Sequence, residues 1–258
     1  MTKTLTDLAN FYGSDKGTVG PIATWSVHNY TDIYDIYLEP YRLLPLHILE
    51  IGLGVVGDRW DSHIVCGRNA AGGASIRMWY DYFPNAQIYG IDINECSYLD
   101  TDRIKTFVAD QGNIEDLKAF TAATEAVEFD FIFDDGSHRP DHQQISLGYF
   151  FRYLKSGGLY FIEDLLDNGL GDGIAGRMSA RQVHNTRNVL KQYRAKGTFL
   201  EPNVLLDPDY LQQQIAAISF HAPRVGVKSI VRPSRRRLID RVVYFKPESE
   251  SLCVIRKR

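Results

Sequence analysis

The chain has 258 residues, of which 44% are hydrophobic and 24% charged, and its formal net charge is −3. This length fits one large α/β domain or two small ones, and the charge does not favour a general nucleic-acid binder. Three scattered cysteines disfavour a disulfide framework or a zinc site, and with no visible signal peptide or membrane-length apolar run we expect a cytoplasmic protein that binds no membrane.

The N-terminal region, before the first predicted strand, is polar and rich in aromatic residues. Within it, Tyr34, Tyr37, Leu38 and Tyr41 recur at helical spacing. Apolar residues at that spacing are typical of a helix that packs on a core. We therefore predict an N-terminal packing arm.

Five short apolar runs then alternate with segments of helical spacing. The predicted strands cover residues 47–52, 87–93, 104–110, 129–135 and 158–164, and the predicted helices cover residues 75–83, 114–124 and 143–154. A further helix is predicted over residues 180–195, after a glycine-rich loop at 169–176. Runs at 241–245 and 251–255 predict a closing antiparallel hairpin, whereas residues 202–240 are too weakly periodic to assign. The alternation predicts an α/β fold with a doubly wound, Rossmann-like, mostly parallel sheet.

A glycine-rich turn follows the first predicted strand, where Gly52 and Gly54 come directly after Glu50. Glycines at this point allow a sharp turn and a close approach of backbone to ligand, in the crevice where such sheets bind nucleotides. The second strand ends in Asp92, whose carboxylate can accept hydrogen bonds from ribose hydroxyls. These strand ends indicate an adenosine ligand.

The third strand ends in Asp110 and Gln111, where an adenine amino group can be recognised. A dinucleotide would need a helix to begin directly after the glycines, so that its N-terminus meets the pyrophosphate. Here residues 55–71 intervene before the helix that contains Ser75, and no Walker lysine follows. The pattern favours S-adenosylmethionine, which carries no phosphate, and we include Ser75 in its predicted site.

Two predicted strands end abruptly in acidic residues. FDFIFDDGSH, residues 129–138, contains Asp134 and Asp135 with His138 just beyond, and GGLYFIEDL, residues 157–165, contains Glu163 and Asp164. Apolar runs that end in carboxylates are typical of buried parallel strands that open into a site. Because buried like charges need a cation or shared protons to offset them, we predict a divalent metal with a nearby general base.

These motifs resemble those of class I S-adenosylmethionine-dependent methyltransferases, specifically the metal-dependent macrolide-sugar O-methyltransferases of the mycinamicin and macrocin type. The resemblance rests on residues 11–16 with 28–30, 50–54 with 72–83, DDGSH at 134–138, and IED at 162–164. Cephamycin-pathway methyltransferase-like proteins are more distant relatives. The implied organisation is an N-terminal helical cover segment, residues 1–45, and an S-adenosylmethionine-binding methyltransferase domain, residues 46–258, within one compact unit.

The resemblance also implies roles for individual residues. Asp135, Glu163 and Asp164 would hold Mg²⁺, whose remaining octahedral positions two vicinal acceptor hydroxyls could complete. His138 would be the general base, with positioning of the substrate as its alternative role. By the same resemblance, Glu50 lies near the cofactor's amino-acid end and Tyr12 belongs to a cover over the cofactor. Asp134 is interpreted as structural.

The predicted function is S-adenosylmethionine- and Mg²⁺-dependent O-methylation of a hydroxyl on a glycosylated or polyhydroxylated natural-product-like small molecule. One alternative uses the same fold, cofactor and metal for cyclisation or elimination. A second is a nicotinamide-dependent oxidoreductase, and a third is a binding module without catalysis. The sequence leaves a homo-oligomer open.

Overall fold

A seven-stranded sheet forms the centre of the computed structural model, which describes residues 3–19, 28–56, 71–165, 184–200, 206–222, 230–232, 241–243 and 250–258. Five adjacent strands are parallel: β1 (His47–Ile51), β2 (Gln87–Asp92), β3 (Ile104–Val108), β4 (Phe129–Asp134) and β5 (Leu154–Ile162). The sheet is completed by β6 (Ile215–His221) and β9 (Leu252–Lys257), in the order β3-β2-β1-β4-β5-β9-β6. Two short strands, β7 (Ile230–Arg232) and β8 (Arg241–Val243), form a separate antiparallel pair.

Helices cover both faces of this sheet. They are α1 (Leu5–Tyr12), α2 (Thr31–Leu38), α3 (Ala74–Tyr82), α4 (Ile114–Ala123), α5 (Pro140–Phe150), α6 (Thr186–Lys196) and α7 (Pro208–Gln214). One hydrophobic cluster joins α1, α2 and α3 to one face, and a second joins α4, α5, α6 and α7 to the other. Short 3-10 turns at Glu39–Tyr41, Ser97–Leu99 and Phe151–Tyr153 connect elements.

Helix ends follow local capping signals. The Thr4 side chain accepts a hydrogen bond from the Asp7 amide while the Asp7 carboxylate accepts one from the Thr4 amide, so α1 begins with a capping box. The same helix ends at Gly13, which adopts the left-handed conformation that glycine tolerates best. Asn113 caps α4, as its position before two acidic residues indicates.

The twofold alternation of the strands decides which acidic side chains share a face. Phe133 and Phe161 pack towards α2 and α3, whereas Ile132 and Ile162 pack towards the opposite helices. Because side chains alternate along a strand, Glu163 follows Phe161 onto the α2 and α3 face, and Asp134 follows Ile132 onto the α5 face. Glu163 and Asp134 therefore lie on opposite faces of the sheet, although they lie at the ends of neighbouring strands.

The parallel sheet and its helices are confirmed, with boundaries that differ by a few residues. The helix predicted over 143–154 instead begins at Pro140 and ends at Phe150, and β5 begins at Leu154, inside the range predicted as helix. Pro140 lies in the first helical position, which suits a residue without an amide hydrogen.

The C-terminal antiparallel strands are confirmed, but the partners predicted for the hairpin were wrong. The strand β9 pairs with β5 on one side and with β6 on the other, whereas β8 pairs with β7. The physical reason is burial: five of the six residues of β9, Leu252 to Ile255 and Lys257, are buried, so the strand lies inside the sheet with a neighbour on each side. Both neighbours are antiparallel to β9, and one of them, β6, lies in the range that the sequence left unassigned.

Several predicted segments fall outside the described residues. These are most of the intervening stretch 55–71, the loop at 169–176, the start of the predicted helix 180–195, and much of 202–240. Within the described part of the chain, no helix combines the length and apolar character that a membrane crossing requires.

Candidate active site

The carboxyl ends of β1, β4 and β5 lie side by side, and backbone hydrogen bonds align the residues that follow them. The Asp135 amide donates to the Ile51 carbonyl at 2.9 Å, and the Glu163 amide donates to the Asp134 carbonyl at 2.9 Å. The glycine turn, the DDGSH motif and the IED motif therefore meet at one edge of the sheet. This is the edge where open α/β sheets bind ligands.

Gly52 makes the closest backbone approach at this edge. Its φ is +87°, and a Cβ at this position would lie 2.3 Å from the Asp135 carbonyl oxygen. Any side chain would collide with backbone, so the turn requires glycine. Gly54 also has a positive φ, +67°, but a Cβ there would meet no atom within 4 Å.

Glu50 is a buried carboxylate without a hydrogen bond. Both of its oxygens lack a partner among the described residues, and its exposed fraction is 0%. Burial raises its pKa to about 7, partly opposed by the nearby Lys16 ammonium. Its polar neighbours Ser75 and Trp79 also lower the pKa of Glu50, but the buried indole N–H of Trp79 makes no hydrogen bond of ordinary length among the described residues. A buried carboxylate whose oxygens lack hydrogen bonds is typical of a position that a polar ligand group satisfies.

Asp92 stands at the end of β2, where the sequence places it, and organises the glycine turn. Its carboxylate accepts hydrogen bonds at 2.9 Å from the amides of Leu53 and Asn94. Burial raises the pKa of Asp92, and these amides counteract part of the increase. Asp110 is half-buried and accepts a hydrogen bond from the Gly112 amide at 2.8 Å.

Two predicted cofactor contacts are engaged elsewhere in the protein. The Gln111 amide group donates to Asp134 and to Ser146 Oγ, and its oxygen accepts from the Ser137 amide at 3.1 Å. The Tyr12 hydroxyl donates to Asp81 at 2.7 Å, at the opposite end of α3 from Ser75.

Those two positions on α3 are separated by about 9 Å at the rise of a helix. The geometry therefore brings Glu50, Gly52, Asp92 and Ser75 together at the end of the sheet that holds the glycine turn, and it does not bring the Tyr12 hydroxyl there. For all the predicted cofactor residues, contact with a cofactor stays a prediction.

Asp135 and Glu163 hold a lysine between them. The Lys16 ammonium donates to a carboxylate oxygen of Asp135 and, at 2.8 Å, to one of Glu163. Burial alone would lower the Lys16 pKa, but the two carboxylates raise it well above its ordinary value. Tyr34 adds a second donor to Glu163 through its hydroxyl. Glu163 is thus fully buried and satisfied by side chains of the N-terminal segment.

Asp164 is the centre of a second set of contacts. The Tyr30 hydroxyl donates to its Oδ1 at 2.6 Å, and His28 Nδ1 lies 3.0 Å from the same oxygen. Burial opposes ionisation of Asp164, yet the His28 charge and hydrogen bond hold its pKa well below its ordinary value. Reciprocally, burial would lower the pKa of His28, but Asp164 raises it to about 9.

Three of the predicted groups form a geometry that suits a metal ion. Asp135, His138 and Asp164 each offer one ligand atom, and these atoms lie within 4.8 Å of one another. His138 Nε2 is 3.7 Å from Asp164 Oδ2, and His138 Nδ1 is 4.0 Å from Asp135 Oδ1. The buried Nδ1 has no hydrogen-bond partner among the described residues. The predicted ligand Glu163 faces Lys16 and Tyr34 instead.

Three of the five non-glycine residues with a positive φ in the described part of the chain lie around these groups. His138 and Asp164 adopt positive φ values of 58° and 47°, and Asn29, beside His28, has a φ of 52°. Non-glycine residues occupy this region only where surrounding contacts hold them. In the loops that carry the acidic motifs, this backbone conformation fixes the direction of the His138 and Asp164 side chains.

Asp134 has the structural role that its sequence position indicated. Its carboxylate accepts hydrogen bonds from Gln111, from Ser146 and, at 3.2 Å, from the Tyr160 hydroxyl. Burial raises its pKa to about 6, which these donors partly offset. His142, on the first turn of α5, is half-buried, and its Nδ1 lies 2.9 Å from Ser137 Oγ.

The sequence did not reveal which residues of the N-terminal segment balance the acids. Lys16, His28 and Tyr30 lie in the stretches that carry the family resemblance, so these motifs could have flagged them. Tyr34 was correctly placed in the core, but helical spacing gave no sign that its hydroxyl would reach Glu163. These contacts join residues more than a hundred positions apart.

No protein-family model matches the chain. It is 36% identical over 161 residues to 8-demethyl-8-alpha-L-rhamnosyl tetracenomycin-C 2'-O-methyltransferase of Streptomyces olivaceus, over 62% of this chain and 37% of that protein. It is 38% identical over 140 residues to mycinamicin VI 2''-O-methyltransferase of Micromonospora griseorubida, and the match covers 54% of this chain and 32% of that protein. The chain thus spans about a third of the length of these curated relatives.

Among solved structures, the MycE methyltransferase of the mycinamicin biosynthetic pathway, in complex with Mg and SAH, is similar over the whole of this chain and 55% of its own. The TM-score is 0.67 at 25% identity. The strand order with its parallel core and antiparallel end agrees with that likeness. The chain therefore has the class I methyltransferase fold, and its resemblance to the macrolide-sugar O-methyltransferases is confirmed.

Proposed function

We propose that this protein is an S-adenosylmethionine- and Mg²⁺-dependent O-methyltransferase that acts on a sugar hydroxyl of a glycosylated natural product. The observation that carries the proposal is the pairing of two features at one sheet edge. An unpartnered buried carboxylate, Glu50, lies beside the glycine turn, and the ionisable groups of Asp135, His138 and Asp164 lie on the neighbouring strand ends. Relatives with sugar O-methyltransferase names support the chemistry.

The cofactor pocket fits a ligand with a positively charged end. Glu50 has two buried oxygens that no described group satisfies, and an ammonium would supply the missing donors. Gly52 keeps the adjoining backbone clear of any Cβ. S-adenosylmethionine carries such an ammonium on its amino-acid end and, when bound, supplies an electrophilic methyl group. Asp92 and Asp110 are proposed to lie along its ribose and adenine.

The carboxylate oxygens of Asp135 and Asp164 suit a hard divalent cation, and the His138 ring lies beside them. We assign Asp135, Glu163 and Asp164 as the residues that would hold the ion. When bound, Mg²⁺ would lower the pKa of an acceptor hydroxyl and fix its direction. This assignment requires the Glu163 carboxylate to change partners, since it now faces Lys16.

His138 is proposed as the general base. Its side chain is partly exposed, so an acceptor hydroxyl could reach the imidazole, and the buried Nδ1 has no hydrogen bond to any described group. The Asp164 carboxylate, 3.7 Å from Nε2, would stabilise the imidazolium that results. The constrained backbone at both residues keeps the base in place during the transfer.

The test is a product assay with the full chain, S-adenosylmethionine, Mg²⁺ and a panel of rhamnosylated and deoxyhexosylated polyketides. We expect a product heavier by one methyl group, together with S-adenosylhomocysteine. His138→Asn should reduce turnover at least a hundredfold, because a general base typically accelerates a reaction by about a hundredfold or more. His47→Asn, at the opposite end of β1, is the matched control and should keep full turnover.

Two results would contradict the proposal. Consumption of the cofactor without a methylated product would favour cyclisation or elimination. Loss of Mg²⁺ affinity in His138→Asn, with the affinity for S-adenosylhomocysteine unchanged, would make His138 a metal ligand and remove it as the base.

A further inference from the structure

Lys16 occupies the position between two of the acids to which the metal role is assigned. It belongs to the turn after α1, yet its side chain is only 1% exposed and its ammonium contacts both Asp135 and Glu163. The negative charges of the carboxylates Asp135, Glu163 and Asp164 are therefore partly balanced within the protein. One internal cation already bridges two of them.

The backbone of Lys16 is held firmly. Its carbonyl accepts a hydrogen bond from the Thr31 amide at 3.1 Å, which ties the turn to the start of α2. At the next residue, a Cβ on Gly17 would lie 2.4 Å from the Asn10 side-chain oxygen, so the turn packs closely against α1. The lysine can therefore leave the carboxylates by a movement of its long, flexible side chain, without breaking these backbone contacts.

A divalent cation cannot share these oxygens with the ammonium. Magnesium binds carboxylate oxygens at about 2.0–2.1 Å, whereas the ammonium lies 2.8 Å from a Glu163 oxygen. An ion seated between Asp135 and Glu163 would meet a like charge in a buried, weakly screened setting. Either the lysine leaves or the ion stays away from Glu163.

We propose that Lys16 is an internal counter-ion that holds the Asp135–Glu163 pair until a divalent cation replaces it, so that metal binding expels the lysine side chain from the site. This inference rests on the proposed function. It gives Lys16 a positioning role: it keeps the carboxylates together and buried while no metal is bound. It also makes the affinity for the metal lower than the three carboxylates alone would provide.

The first test is calorimetric titration of the full chain with Mn²⁺ and with Mg²⁺, without cofactor. Lys16→Met removes the charge and keeps most of the side-chain volume, and Lys118→Met is the matched control on an exposed lysine of α4. We expect Lys16→Met to bind Mn²⁺ about tenfold or more tightly than the wild type, within the range typical of coupled sites. Lys118→Met should match the wild type.

The second test uses the wild type and so does not depend on how the variant folds. An amine-reactive reagent is applied with and without saturating Mg²⁺, and labelling at each lysine is measured by mass spectrometry. We expect labelling of Lys16 to rise at least fivefold with Mg²⁺, while exposed Lys118 changes little.

The outcomes separate this inference from the proposed function. Metal binding of equal strength in wild type and Lys16→Met, or a Lys16 that stays unlabelled in the metal-bound protein, overturns the exchange and leaves the metal site standing. No Mn²⁺ binding by either protein overturns both. Binding by Lys16→Met alone also overturns the exchange, because it shows that the ion cannot displace the lysine from the wild-type site.

Discussion

Replacing Glu50 by glutamine should make the cofactor-free protein more stable at alkaline pH. Burial raises the Glu50 pKa from 4.5 to about 7, and the nearby Lys16, Ser75 and Trp79 offset only part of the increase. Neither carboxylate oxygen has a hydrogen bond of ordinary length among the described residues. Between these two pH values the folded protein holds a proton that the unfolded chain has released. Stability from this group is therefore complete below pH 4.5 and is lost as the pH rises through 7.

The size of the effect follows from that interval. The difference between 4.5 and about 7 corresponds to about 3 kcal/mol at 1.36 kcal/mol per pKa unit. A neutral glutamine has the shape of the protonated acid and never ionises. We expect Glu50→Gln to exceed the wild type by about 3 kcal/mol in free energy of unfolding at pH 8.5, and to match it near pH 4.5.

Urea denaturation of both proteins from pH 4.5 to 8.5 measures this difference. Glu115→Gln is the control, because Glu115 is an exposed glutamate on α4 and should show a difference within about 0.5 kcal/mol. The same Glu50→Gln variant should lose affinity for S-adenosylhomocysteine, since it removes the acceptor for the ligand ammonium. A stability gap that does not change with pH, or a less stable variant at pH 8.5, would refute a buried and unpaired carboxylate.

Two further substitutions test the geometry around this site. Gly52→Ala would press a Cβ onto the Asp135 carbonyl, and we expect a loss of about 3 kcal/mol or more in unfolding free energy with no detectable cofactor binding. Gly54→Ala meets no neighbour and should lose only about 1–2 kcal/mol, so equal losses in the two variants would contradict the close approach. Tyr34→Phe removes a donor to buried Glu163 and should lower the unfolding free energy by about 1–3 kcal/mol, measured by urea denaturation. An unchanged midpoint would show that this hydroxyl does not support the acid.

The strand ends could be predicted because the signals for them are local. Five apolar runs with glycines or acids at their ends specify parallel strands, and their carboxyl ends must share one edge. For that reason Glu50, Gly52, Asp135 and Asp164 were placed near one another from the sequence. The period of a strand also explains why Asp134, one residue before Asp135, turns to the opposite face and bonds with α5.

The rest of the site depends on contacts that no local pattern records. Lys16 meets Asp135 across 119 positions, and only the folded chain shows that the two touch. A lysine in a polar turn is ordinarily solvated, so composition gives no reason to bury it. The strand β6 was missed for a related reason. It is the outermost strand of the sheet, most of its residues are exposed or half-buried, and its sequence lacks a clear hydrophobic period.

Calorimetric titration of the wild type with S-adenosylhomocysteine, with and without Mg²⁺, tests the central claim most directly. The account predicts saturable binding of one ligand per chain, weakened strongly in Glu50→Gln and largely preserved in Asp135→Asn. Mg²⁺ should bind the wild type and fail to bind Asp135→Asn. No binding of S-adenosylhomocysteine under any of these conditions would contradict the assignment of this chain as a cofactor-dependent methyltransferase.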